Sequence, residues 1–134
     1  MLDTHVWVWL LNGDEVLKGS KCLPVIERAV EHSQIRISAI SVWEIGMLES
    51  KGRIRFPVSC IDWVQRALAA PGISLVPLTP DIAVESSRLP GNFHGDPADR
   101  ILIATARKLK AVVITRDKQI LQYGKENYVE VLAV

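Results

Sequence analysis

Cysteine is nearly absent. Cys22 and Cys60 are the only two, and neither has a second cysteine or a histidine at ligand spacing. That excludes a disulfide framework and a structural zinc site, and leaves two reduced, buried thiols. Net charge is nearly absent as well: 16 Lys and Arg against 15 Asp and Glu leave +1. A chain that coats itself on nucleic acid is more basic, so any such contact here must be local, and selective or metal-assisted. Long apolar runs are missing, and VWVWLL at 6–11 is far too short to span a bilayer. No secretory leader is visible, because Asp3 and His5 interrupt the apolar start and no basic segment precedes it. Repeats, low-complexity tracts and inter-domain linkers are lacking too. What remains is one soluble, cytoplasmic domain over 1–134, long enough to bury a core unaided.

Short strand-like runs alternate with helical ones. Met1-Leu2 is a very short strand cut off by Asp3, and VWVWLL fits strand or helix equally by pattern. Asn12-Gly13-Asp14 is a turn, and a helical pattern covers 16–32, with Pro24 marking a break or a fresh first turn. IRIS at 35–38 is a strand, and the next helix runs from Ser41 to a left-handed cap at Gly52. Residues 59–70 form an amphipathic helix with Ile61, Val64, Ala67 and Leu68 on one face. Ser74–Pro77 is a strand, and Thr79-Pro80-Asp81 opens a helix with a cap residue and a proline at its first position. A further helix covers 96–110 and buries Leu102, Ile103, Ala106 and Leu109. AVVIT at 111–115 is a buried strand, 116–123 a short helix, and 128–132 an edge strand. The alternation predicts an α/β fold with a parallel sheet covered on both faces. In such folds functional groups gather beyond the carboxyl ends of the strands.

Four acids meet that rule, although each also has a local explanation. Asp3 follows the first strand and could cap the next helix. Glu44 lies three residues after Ser41, as in a capping box. Asp96-Pro97-Ala98-Asp99 has a similar form, with Asp96 as the cap. Asp117 follows AVVIT by two residues, where a negative charge suits a helix N-terminus. The joint pattern favours a site. Asp3, Glu44 and Asp117 fall near the ends of three different strands, and Asp99 lies one turn before Ile103 on an inward helix face. Gathered carboxylates repel one another unless a cation neutralises them. Oxygen donors without Cys or organised His favour Mg²⁺ or Mn²⁺, the ions of phosphodiester chemistry.

The ordered set LDTH, SAISVWEI, HGDPADRILIATA and VVITRD resembles the PIN domain, in particular the VapC toxins of bacterial toxin–antitoxin modules. The likeness extends from Asp3 to Asp117. It implies a three-layer α/β/α sandwich on a mainly parallel sheet of about four to five strands. It also implies Mg²⁺- or Mn²⁺-dependent endoribonuclease activity, with Asp3, Glu44, Asp99 and Asp117 as the catalytic and metal-binding acids. Asp96 belongs to a variant of the third motif outside the shared four, and Thr115 matches a hydroxyl residue that orients a ligand or water. A cognate antitoxin is implied, laying a C-terminal segment along an apolar surface and offering a basic side chain to the acids. A homodimer and a toxin–antitoxin hetero-oligomer are implied as well. Only Met1 and Leu2 precede Asp3, where family members carry several more apolar residues, so the first strand is expected to be truncated or the start internal.

Other residues carry weaker assignments. Lys51, Arg53 and Arg55 follow the Glu44 helix and are the first candidates for RNA phosphate contacts. Arg100 and Arg116 adjoin Asp99 and Asp117 and could touch substrate or pair with the acids, and Ser41 supports Glu44. His5, His32 and His94 have no common spacing and read as structural or solvent-facing. Trp7, Trp9, Trp43 and Trp63 read as core or dimer packing rather than base-stacking platforms. The reading is a metal-dependent endoribonuclease, with Asp99 or Asp117 as general base. The alternative is a catalytically inactive PIN-like module that binds RNA or protein. A phosphatase is disfavoured because LDTH lacks a second aspartate, and a receiver domain because an early acidic pair is missing.

Overall fold

The VWVWLL run is helical, and both ends of its helix say why. In a computed structural model that describes residues 1–134, α1 spans Thr4–Asn12, with Asp3 as N-cap and Gly13 as a left-handed C-cap at φ 64°. Two local stop signals bracket a run too uniformly apolar to show a period. Two short helices follow, α2 (Glu15–Lys18) and α3 (Leu23–Glu31), and Pro24 sits in the first turn of α3, the fresh start expected of it.

Strand β1 (Ile35–Ser38) runs without a loop into α4 (Ala39–Ser50). The expected start at Ser41 is therefore corrected. Ser38, the last strand residue, is the N-cap and accepts from the Ile40 amide at 3.2 Å, while Ser41 is fully buried inside the helix. No capping box joins Ser41 to Glu44. The chain continues through α5 (Cys60–Ala69), β2 (Ile73–Val76), α6 (Pro80–Ser86) and α7 (Pro97–Leu109). It closes with β3 (Val113–Thr115), α8 (Lys118–Lys125) and β4 (Val131–Ala133). Strand β4 begins later than the pattern suggests because Tyr128 is otherwise engaged. Its carbonyl accepts from Arg107, and its ring stacks on Tyr123 at 4.9 Å.

All strand pairing is parallel. β1 pairs with β2, β3 with β4, and Leu2 bridges to Ile114. The Leu2 amide also donates to the Arg36 carbonyl at 3.1 Å, so the segment Met1–Asp3 joins the two ribbons. The resulting order is β2, β1, Met1–Asp3, β3, β4, a layer of four strands plus one short central segment.

Alternation along that layer produces two cores. Leu2, Ile35, Ile37 and Ile114 pack with Val6, Trp7, Ile26 and Trp63 on one face. Met1 and Val113 face the other way and meet Leu102, Ile103, Ile120 and Tyr123. Helices on both sides make the three-layer α/β/α sandwich. Two expected core residues stay outside: Ile61 is 59% exposed and Leu109 43%. Trp63 takes the place of Ile61 on the buried face of α5. Trp43 is also 59% exposed, so its core reading is corrected, whereas Trp7 and Trp63 are buried and pack ring to ring at 5.3 Å.

Candidate active site

Three neighbouring parallel segments end at the same edge, and an acid follows each. The central segment ends at Asp3, β1 leads into the α4 turn that carries Glu44, and β3 leads to Asp117. Helix α7 packs on α4 and brings Asp99 in its first turn. Asp3, Glu44, Asp96, Asp99 and Asp117 line one cleft of about 380 Å³. The four acids singled out in the sequence are thus brought together, with Asp96 beside them.

Capping and clustering coexist. Oδ1 of Asp3 accepts from the Thr4 amide at 2.7 Å, Oδ1 of Asp96 from the Asp99 amide at 2.9 Å, and Oδ1 of Asp117 from the Ile120 amide at 2.9 Å. Each cap occupies one carboxylate oxygen and leaves the other outside the cap, although Oδ2 of Asp3 has a second partner. Asp99 and Glu44 cap nothing. Their helices begin at this edge, as do α1 and α8, so partial positive charge from four helix N-termini offsets some of the carboxylate charge. Asp96→Ala removes a cap and is expected to lower stability by about 1 kcal/mol. Urea unfolding of the variant measures this.

Buried hydroxyls tie the acids together. Thr115 Oγ1 donates to Asp3 Oδ2 at 2.6 Å and accepts from the Asp117 amide at 2.9 Å. Thr4 Oγ1 lies 2.8 Å from both Glu44 Oε1 and Ser41 Oγ. A hydroxyl has one proton and a carboxylate only accepts, so Thr4 donates to Glu44 and Ser41 donates to Thr4. Ser41 thereby supports Glu44 through Thr4 and not through a helix cap.

Repulsion is visible in the protonation equilibria. Burial and the charges of Asp96, Asp3, Asp117 and Glu44 push the Asp99 carboxyl from 3.8 up to about 7. Burial raises Glu44 as well, and the Thr4 hydrogen bond offsets part of that rise. Against five carboxylates the cleft wall offers one full cation, Arg53. Such a site wants additional positive charge, and an all-oxygen donor set fits a hard divalent ion. No three of the side chains converge as a ready-made ligand set, so rotamer adjustment would accompany ion binding.

The basic residues separate. Arg53 lines the cleft, while Lys51 and Arg55 are exposed on the same turn outside it. The Arg116 guanidinium lies over the Trp9 ring, 5.2 Å from its centroid. Arg100 points elsewhere: its Nε donates to the Ser86 carbonyl at 2.8 Å and an Nη to that of Phe93 at 2.6 Å. It fastens the α6–α7 connection and pairs with no acid.

Thr4, His5 and Trp9 also line the cleft and were not legible as site residues. A signal existed. His5 and Trp9 stand four apart, which on a helix stacks them beside Asp3, but the strand–helix ambiguity hid it. A larger groove of about 1360 Å³ lies at the amino-terminal ends of β1 and β3, among Ile35, Arg36, Val112 and Val131. Its lining is largely apolar, with Glu130 its one carboxylate, so the smaller cleft alone of the two gathers acids.

A family model described as PIN domain matches residues 1–126. The chain belongs to the PIN-domain family. This PIN domain is 31% identical over 121 residues to Ribonuclease VapC22 of Mycobacterium tuberculosis, a match covering 90% of this chain and 88% of the relative. Its fold is similar to that of a chain in a toxin–antitoxin complex from Klebsiella pneumoniae. The TM-score is 0.55 at 22% identity, with 87% of this chain and 84% of the other covered. No helix of the PIN domain is long and apolar enough to cross a membrane.

Proposed function

We propose that this PIN domain, acting as one unit over 1–134, is a cytoplasmic endoribonuclease and the toxin of a toxin–antitoxin pair. The observation that carries this reading is the convergence of five carboxylates from separate elements on one cleft. Asp3, Glu44, Asp99 and Asp117 would hold Mg²⁺ or Mn²⁺. When bound, such an ion supplies Lewis acidity at a phosphoryl oxygen and makes water more acidic.

The chain's own groups do the rest. Asp99 has no capping duty and accepts the proton of the attacking water, and Asp117 is the alternate base. Thr115 holds Asp3 and the Asp117 backbone in register, and Thr4 fixes Glu44. Arg53 faces the scissile phosphate, and Arg116 a neighbouring one. Asp96 acts from outside the four by capping α7 and so orienting Asp99.

The relatives' names support RNA as the substrate and an antitoxin as partner. A basic side chain from such an antitoxin would answer the excess negative charge that surrounds Asp99. A homodimer and a toxin–antitoxin hetero-oligomer are the proposed assemblies.

Sequencing of RNA 5′ ends after induction tests the function. New ends at defined sites, absent from an Asp99→Asn control, are the expected outcome. An unchanged 5′-end profile on induction of the intact protein would sink the reading and favour an inactive binding module. Arg53→Ala should weaken RNA binding and lower the slope of log affinity against log salt by about 1. Lys51→Ala and Arg55→Ala should change binding less, which a salt titration by fluorescence anisotropy resolves.

A further inference from the structure

Of the three histidines, two are unconnected with the cleft. His32 Nδ1 meets the Arg28 carbonyl at the end of α3, and His94 lies exposed before α7. His5 differs from both. It is the second residue of α1, two after Asp3, and its ring bridges two strand ends that the chain separates by over a hundred residues.

The Arg116 amide donates to His5 Nε2 at 3.1 Å. A backbone N–H can only donate, so Nε2 carries a lone pair and the ring proton of neutral His5 resides on Nδ1. That Nδ1–H faces Asp3 Oδ2 at 3.7 Å, longer than a hydrogen bond but within electrostatic reach. The ring is held in this attitude by Trp9, four residues on, which it meets edge-on at 4.9 Å. Trp9 is also the platform for the Arg116 guanidinium. Side chain and backbone of Arg116 are therefore both anchored to α1.

Thr115 repeats this arrangement one residue further along. It accepts from the Asp117 amide and donates to the same Asp3 Oδ2. Two consecutive amides of the loop after β3, those of Arg116 and Asp117, thus end on side chains that both address one oxygen of Asp3. A single link leaves a loop free to pivot. Two links on adjacent amides remove that freedom and fix where the Asp117 carboxylate stands relative to Asp3.

We infer that His5 is a positioning residue: its ring, wedged by Trp9, clasps the Arg116 amide and so locks the Asp117-bearing loop against Asp3. This rests on the reading of Asp3 and Asp117 as members of one catalytic cluster. In this role His5 acts through the loop and not on the substrate. Its effect is on the spacing of the two acids, and hence on turnover and on divalent-ion affinity more than on RNA affinity.

Three substitutions separate the elements of the clasp. Gln places an acceptor, Oε1, at the same number of bonds from Cα as Nε2. Asn reproduces only the Nδ1 end, and Ala reproduces neither. The first readout is independent of activity: ¹⁵N NMR of the intact chain for the His5 tautomer, and hydrogen exchange at the Arg116 amide. Wild type is expected to show the Nδ1–H tautomer and a protected Arg116 amide. His5→Gln should keep that protection, with kcat within about threefold of wild type. His5→Asn and His5→Ala should lose it, with kcat and Mg²⁺ affinity down about 10–100-fold and KM for RNA nearly unchanged.

An Nε2–H tautomer in the wild type, unchanged Arg116 exchange in a folded His5→Ala variant, or wild-type kcat in that variant would each overturn the inference. Wild-type protein that cleaves no RNA in the presence of Mg²⁺ or Mn²⁺ would instead overturn the nuclease reading, and the tautomer and exchange data would still decide the clasp.

Discussion

Asp99→Asn is expected to cut RNA cleavage by at least about 100-fold, the scale of a lost general base, and to raise thermal stability at the same time. Loss and gain have one cause. Folding raises the Asp99 carboxyl from 3.8 to about 7, so the folded chain disfavours the ionised form. Below the unfolded value both states are protonated and folding costs nothing at this group. As pH rises from about 4 to about 7 the unfolded chain ionises first, and the stability deficit grows until the folded carboxyl ionises as well. Above that the deficit is complete. Asparagine matches the shape and stays neutral, so it removes the deficit at pH 8 and changes little at pH 4.

Solvent reaches this carboxyl, so screening leaves about 1–2 kcal/mol of the full effect, worth a few degrees in Tm. Thermal scans of both proteins at pH 5 and pH 8 check the sign: the gap between them should widen at the higher pH. Mg²⁺ should raise the Tm of the wild type, since a ligand that binds the folded state stabilises it, and raise that of the variant less. A residue that merely supported the helix would give the opposite result, a lower Tm and no change in the response to Mg²⁺.

Thr115→Val should reduce activity by about 10–100-fold, the usual cost of losing a group that orients a ligand. Valine fills the same fully buried volume, so packing is preserved. What disappears is the hydroxyl between Asp3 Oδ2 and the Asp117 amide. The amide loses its partner and the carboxylate one of its donors, and an unsatisfied buried group costs about 1–3 kcal/mol. Thr115→Ser keeps the hydroxyl and should retain most of the activity. Urea unfolding and single-turnover cleavage of the two variants separate loss of the bridge from loss of the methyl group. Equal activity in both would mean that the bridge is irrelevant to the chemistry.

Much of this was legible in the residues because its signals are local. Asp96-Pro97 opens α7 through a contact within three residues in the chain. The order of the acids was legible for a related reason: in a parallel sheet, the residue after a strand lies at the same edge whatever the strand's neighbours. Ser41 misled because β1 and α4 abut with no loop, so Ser38 ends a strand and caps a helix at once. Ile61 and Leu109 misled because apolar residues are not obliged to be buried. Arg100 misled through adjacency: the next helical position lies about 100° around the axis, which turns Arg100 toward Ser86 while Asp99 faces the cleft. The Thr4 links, the Thr115–Asp3 link and the His5–Arg116 contact were beyond reach, since their partners are 37 to 112 residues away in the chain.

The most direct test of the acidic cleft as a divalent-dependent nuclease centre is RNA cleavage by the purified chain, with metal removed by EDTA and then restored. Cleavage with Mg²⁺ or Mn²⁺, lost on chelation, recovered on addition of the ion and absent from Asp99→Asn, is the expected result. Cleavage that persists in EDTA, or that Asp99→Asn leaves intact in a folded protein, would contradict it.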